Sequence, residues 1–151
     1  DHKSMTTLPF KDNEVDLIYS SHVVEYFDRE QVESLLKEWH RVLKPGGTLR
    51  VAVPDFSKMA ELYTLGEYEV DSFLGLLYGK MKMESDTIYH KTVYDFKSLS
   101  TVLQSSGFKN CRLYDWRETE HSQFDDHSQA YLPHMQKETG TLMSLNVECE
   151  K

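Results

Sequence analysis

The side chains able to do chemistry in this 151-residue chain are unevenly placed. His22 stands just after a short apolar run, VDLIYS at residues 15–20. Asp55 follows a second such run, TLRVAV at residues 48–53. His90 lies in a polar stretch mid-chain, and His121, Asp125, Asp126, His127 and His134 are spread along a polar segment near the C-terminus. An imidazole titrates near neutral pH, so His22 and His90 are the candidates for a general base. The alternative for His22 is a ring packed where a strand gives way to a helix. Glu25 reads as a residue that orients the loop after the first run. Asp55 could steer a substrate amine or hydroxyl, but reads better as a helix N-cap. Imidazoles and carboxylates bind zinc, iron or nickel. However, His121 and His127 are six positions apart, which is no standard ligand spacing. A polar lid or a solvated loop fits that segment better, and no metal is expected. The chain contains no serine nucleophile elbow, no CxxC pair and no Walker phosphate loop.

The elements that must position these residues follow from the apolar spacing. VDLIYS has the β-branched and aromatic content of a strand buried on both faces. Asp28 with Gln31 forms a capping-box pattern, and Val32, Leu35, Leu36, Trp39, Val42 and Leu43 then line one helix face. Lys44-Pro45-Gly46-Gly47 stops that helix. TLRVAV is the next strand, so strand, helix and strand make a right-handed crossover between parallel neighbours. Residues 56–65 and 70–78 carry helical spacing, residues 80–93 read as a loop, and Asp95 caps a helix bearing Phe96, Leu99, Val102 and Leu103. NCRLYDW (110–116) reads as a strand, residues 117–139 as a loop, and TLMSLNVEC (141–149) as the last strand. That last strand, entered from a loop, is expected to run antiparallel to the rest. Trp39 and the tyrosines 63, 68 and 78 read as core or interface, and Met81 and Met83 as pocket lining or gap filling.

Composition narrows the function classes. Hydrophobic residues make up 39% and charged residues 28% of the chain, as in a single globular α/β domain. The net charge of −8, without a basic patch, argues against nucleic acid and anionic membranes as partners. Apolar runs are too short for a transmembrane helix or a signal peptide. Cys111 and Cys149 read as thiols of a reducing, cytoplasmic compartment.

Taken as one block, LPFKDNEVDLIYSSHVVEYFDREQVESLLKEWHRVLKPGGTLRVAVPDF resembles the middle of a class I S-adenosylmethionine-dependent methyltransferase of the type 11 group, within it the predicted methyltransferases of bacterial type. The carriers are Leu8, Pro9, Phe10, Asp12 and Asp16, then Ser20 to Phe27, then RVLKPGG at residues 41–47. The closing segments SQFDDHSQAY and LMSLNVECEK are similar to the same group. Tyr26 stands where those relatives commonly have histidine. The resemblance implies a Rossmann-like sheet, incomplete here, with strands four to seven of the family's seven. None of the seven glycines forms the GxGxG turn that approaches the cofactor's methionine part. It implies S-adenosylmethionine as cofactor, with Leu8, Pro9 and Phe10 toward the adenine and Ser20, Ser21 and His22 on the crevice wall. The acceptor would be a small molecule. A chain limited to this half is expected to bind the cofactor weakly, and the bare edge of its first strand to associate as a homodimer or higher oligomer. Two other readings stand beside it: a non-enzymatic half-domain that only self-associates, and a remnant that binds a metal or small ligand.

Overall fold

The computed structural model describes residues 6–83, 86–134 and 136–151. Its centre is a four-stranded sheet of β1 (Val15–Ser21), β2 (Leu43–Pro54), β5 (Lys109–Leu113) and β8 (Ser144–Glu150), in the order β1-β2-β8-β5. β1 and β2 are parallel, joined by helix α1 (Arg29–Val42), as a crossover requires. β8 is antiparallel to both β2 and β5, with Val51 opposite Val147. The antiparallel last strand is thus as expected.

Alternation along the strands sorts the side chains onto two unlike faces. On one face Leu49, Val51 and Val53 of β2 and Leu145, Val147 and Cys149 of β8 form a single core with Val32, Leu35, Leu36 and Trp39 of α1. Helix α4 (Phe96–Ser105) adds Leu99 and Leu103. On the other face stand Tyr19, Ser21, Arg50, Ser144, Asn146 and Glu148. The segment 115–131 covers them through polar contacts: Tyr19 donates to Asp126 (2.6 Å), Asn146 Nδ2 donates to the Ser128 carbonyl (2.9 Å), and Arg50 pairs with Glu120 and Glu148. A second apolar cluster of Met59, Leu62, Phe73 and Met143 binds helices α2 (Phe56–Thr64) and α3 (Leu74–Tyr78) to the sheet's carboxyl end.

Local chemistry explains the boundaries. Asp28 and Gln31 close the capping box on α1, and Asp55 accepts from the Lys58 amide (3.2 Å) to cap α2. Asp95 and Ser98 cap α4 in the same manner. The KPGG turn is not a clean stop before β2. Pairing starts at Val15–Leu43, skips the turn, and resumes at Leu17–Thr48. Gly46 supplies the left-handed backbone (φ 77°) that this excursion needs.

Several expectations are corrected. β1 is not buried on both faces: as an edge strand it leaves Leu17 36% exposed. Residues 80–93 are more than a loop. They contain a hairpin of β3 (Met81–Met83) and β4 (Asp86–Ile88), whose few residues are too short for periodicity to register. Residues 117–139 likewise hold β6 (Tyr131–Leu132), paired with β7 (Thr141–Leu142). Phe96 is 39% exposed and so stands off the buried face of its helix, and Tyr63 and Tyr78, at 54% and 58%, are not core residues, which leaves only the interface half of their reading. Among the described residues no helix is long and apolar enough to cross a membrane.

Candidate functional site

β1 and β2 point their carboxyl ends toward a cleft of about 700 Å³, the size range of small-molecule sites. Its walls come from α3 and β3 (Leu76, Gly79, Met81), from the 125–134 segment (Asp126, His127, Tyr131, Leu132) and from Met143. Most of this lining is apolar. His22, Tyr26 and His90 stand along its sheet side. A smaller hollow of about 260 Å³ lies beside Arg50, Arg112 and Glu148. Its charges are already paired, Arg50 to Glu148 at 3.0 Å and Arg112 to Glu148 at 2.8 Å.

His22 leaves β1 in the left-handed region (φ 51°), a conformation that costs a non-glycine residue about 1 kcal/mol or more. Its amide still donates to the Ala52 carbonyl (2.8 Å), so the turn is welded to β2. Its Nε2 lies 3.2 Å from Ser144 Oγ and its Nδ1 lies 3.3 Å from Glu25 Oε1. Glu25 is fully buried, and its carbonyl accepts from the Lys91 amide (2.8 Å), which brings the neighbouring His90 to its side. His90 Nε2 is 3.7 Å from the same Glu25 oxygen, while His90 Nδ1 donates to the Leu76 carbonyl at 2.9 Å. Tyr26 donates to the Gly79 carbonyl (2.6 Å) and meets the His90 ring edge-on at 4.5 Å.

The electrostatics follow from burial. Desolvation pushes the Glu25 carboxyl up to about 8 and, with the neighbouring His127 and His90, the His22 imidazole down to about 3. His90 is lowered as well, chiefly by burial. Asp126 goes the other way despite its burial. Hydrogen bonds from Tyr19, Ser128 and Ser21 hold it below the usual carboxylate range. It is thus the cleft's firmly ionised group, and it ties the end of β1 to the covering segment.

The sequence candidates divide between two ends of the sheet. Ser21 and His22 reach the cleft region together, with Ser21 donating to Asp126 (3.1 Å) and His22 in the wall; His90 joins them from a distant segment. Ser20 points to the core face, 6% exposed, with its hydroxyl unpartnered. Leu8, Pro9 and Phe10 are elsewhere. Leu8 donates to Glu38 (2.7 Å) and the Phe10 carbonyl accepts from Arg41 (3.0 Å), which places them over the C-terminal half of α1 at the start of β1. A seven-residue strand at ~3.3 Å per residue separates them from His22. Residues 1–5, which precede them, lie outside the described residues. His121 is stacked on Tyr19 at 3.6 Å on the covered polar face. Asp55 caps α2. Among the described residues no three His, Cys, Asp or Glu side chains are arranged to hold a metal ion.

From sequence, Glu25 reads only as orienting the loop and Asp126 only as one of the possible ligands in a polar segment; Gly79 has no part in a site. The i,i+3 spacing of His22 and Glu25 was a signal for one of them. Asp126 lies 105 positions from Ser21, and only the fold brings it there.

Residues 2–51 match the family described as a methyltransferase domain. An uncharacterized protein of Methanocaldococcus jannaschii is 30% identical over 105 residues, covering 70% of this chain and 43% of the relative. Demethylmenaquinone methyltransferase of Staphylococcus aureus is 30% identical over 120 residues, covering 74% and 48%. A solved SAM-dependent methyltransferase of Thermotoga maritima superposes with a TM-score of 0.55 at 17% identity, covering 97% of this chain and 61% of that one. The chain has the fold of solved S-adenosylmethionine-dependent methyltransferases, and its residues 2–51 match the methyltransferase-domain family. It spans about half the length of the two curated relatives.

The described residues fit that cofactor only in part. A cradle for its methionine end needs backbone amides at close approach, and hence glycine, at a strand's carboxyl end. No glycine of this chain lies at the carboxyl end of β1 or β2: Gly46 and Gly47 sit where α1 meets the start of β2, and Gly79 ends α3.

Proposed function

We propose that this chain forms the acceptor-side half of an S-adenosylmethionine-dependent methyltransferase acting on a small, largely apolar molecule. The observation that carries this reading is the position and lining of the cleft. It opens at the carboxyl ends of two parallel strands, where doubly wound sheets bind ligands, and Leu76, Met81, Leu132 and Met143 face a short polar wall of His22, Tyr26 and His90. The apolar side chains would exclude water and hold the acceptor, and Tyr26 and the histidines would fix its orientation. Methyl transfer needs aligned reactants more than a dedicated acid or base. Consistent with this, His22 Nε2 and His90 Nδ1 are held by Ser144 and the Leu76 carbonyl, and the other nitrogen of each ring faces the buried Glu25, which suits a role in shaping the site.

The cofactor's methionine end would be held by backbone outside the described residues. The outer edge of β1, at the end of the sheet, is where further strands would pair, from the same protein or from a second copy of this chain. A thermal-shift titration with S-adenosylmethionine and S-adenosylhomocysteine, read beside mass-spectrometric detection of methylated apolar acceptors, tests the proposal. Stabilisation by both ligands, with methyl product lost in His22→Ala, supports it. No stabilisation at millimolar ligand would favour the non-enzymatic reading.

A further inference from the structure

The buried carboxyl of Glu25 has no place in the alignment of reactants, and neither of its oxygens is hydrogen-bonded to another residue. Two imidazoles face it, and their tautomers can be read from their other contacts. His90 Nδ1 lies 2.9 Å from the Leu76 carbonyl, which can only accept, so the ring's proton is on Nδ1 and Nε2 turns a lone pair to Glu25. For His22 the logic runs through three residues. Asn146 Nδ2 donates to the Ser128 carbonyl (2.9 Å), which fixes the amide and leaves Oδ1 facing Ser144. The Ser144 hydroxyl donates to that oxygen (2.9 Å), so toward His22 it is an acceptor. His22 therefore carries its proton on Nε2 and turns the lone pair of Nδ1 to Glu25 as well. An ionised carboxylate here would face two lone pairs in a dry setting with no donor, an arrangement without compensation.

We propose that Glu25 is a positioning residue of the cleft: it remains a carboxylic acid whose single proton is directed to the inward lone pair of His22, with the lone pair of His90 turned to the same oxygen, so that both rings stay neutral and in fixed tautomers. The proposal rests on the reading of the cleft as an acceptor site for its functional meaning; for the proton it rests on the contacts above and on the burial of both Glu25 and His22, which disfavours the alternative of a charged imidazolium–carboxylate pair. The proton does not leave the trio. It sits on Glu25 and points to His22 Nδ1, the nearer ring at 3.3 Å. The raised Glu25 and lowered His22 agree with this arrangement. The other titratable and charged groups around it are Tyr26 on its own turn, Tyr94 with Arg29 stacked over its ring, and Asp126 and His127 across the cleft. None of them donates to the Glu25 carboxyl. The consequence for the site is a sheet-side wall that offers an acceptor two neutral, immobile rings in place of a charge.

Histidine-selective ¹⁵N correlation spectra of the whole chain test this without any ligand. At about pH 6.5 to 7 the expected result is two neutral rings, His22 protonated at Nε2 and His90 at Nδ1. Glu25→Gln keeps both tautomers, and the common shift step of both rings on raising the pH past the Glu25 titration disappears. Imidazolium at either position, or His22 protonated at Nδ1, would overturn the proposal. Carboxyl ¹³C shifts of the unmutated protein give the same answer if the variant does not fold: a protonated Glu25 at about pH 6.5 supports it, and an ionised one overturns it. Failure of cofactor or acceptor binding with the tautomers as expected would remove the acceptor-site reading and leave the proton assignment standing.

Discussion

Substituting Glu25 by glutamine should change how stability depends on pH, in a direction and amount fixed by the structure. Glu25 is raised from 4.5 to about 8 on folding, so the folded state holds its proton more tightly. Its contribution is full below the unfolded value and is lost as pH rises through the folded one. His22 is lowered from 6.5 to about 3, so its neutral form is favoured and its contribution is lost as pH falls from 6.5 toward 3. Between 4.5 and 6.5 the two slopes cancel. The folded pair then carries one proton, on Glu25, and the unfolded pair carries one, on His22. Above 6.5 only the Glu25 slope remains, about 1.4 kcal/mol per pH unit, or about 2 kcal/mol by pH 8. Glu25→Gln removes that slope. Its stability relative to the unmutated chain should therefore rise by about 5 kcal/mol between pH 4.5 and pH 8, with about 2 kcal/mol of this above pH 6.5. The lowered His40 and His121, which do not contact Glu25, act in both proteins and cancel in the difference. Urea unfolding followed by the fluorescence of the buried Trp39 and Trp116 measures it at several pH values. Parallel curves for the two proteins from pH 5 to pH 8 would refute the reasoning.

Three further outcomes are expected. Gly79→Ala should destabilise by about 2 kcal/mol or more, because a methyl there would overlap the His90 ring and Gly79 has a left-handed backbone (φ 48°); chemical denaturation checks it, with the His90 ring signals displaced. Asp55→Ala should cost about 1 kcal/mol through loss of the α2 cap, with the His22 and His90 tautomers unchanged, read by denaturation and histidine ¹⁵N spectra. Leu17→Lys places a charge beside the open edge of β1 and should lower the mass seen in light scattering if that edge joins copies of the chain; an unchanged mass above the monomer would locate association elsewhere.

Much of the sheet was legible because its signals are local. The capping box at Asp28, the apolar stripe of α1 and the two apolar runs flanking it define a crossover within forty residues, and β8 was recognisable as the return strand. β3, β4, β6 and β7 are two or three residues long, too short for alternation to stand out from a loop. The site was legible in part for the same reason. His22 was visible because it follows a strand. Its partner Ser144, and His90 and Asp126, which contact the neighbouring Glu25 and Ser21, arrive through long-range packing, and no spacing in the sequence encodes them. Of Leu8 to Phe10, which carry the family resemblance, only Leu8 packs against the core beside α1, while Phe10 is 46% exposed, so packing accounts for Leu8 alone.

In the proposed reading, the cleft beside His22 faces the reacting end of the cofactor. Backbone amide spectra recorded during titration with S-adenosylhomocysteine to millimolar concentration test it most directly. Weak binding is expected, with shifts concentrated at Ser21, His22, Tyr26 and the 126–131 segment that rims the cleft. Shifts confined to the hollow beside Arg50, or to the α1 end around Leu8 and Phe10, would contradict it.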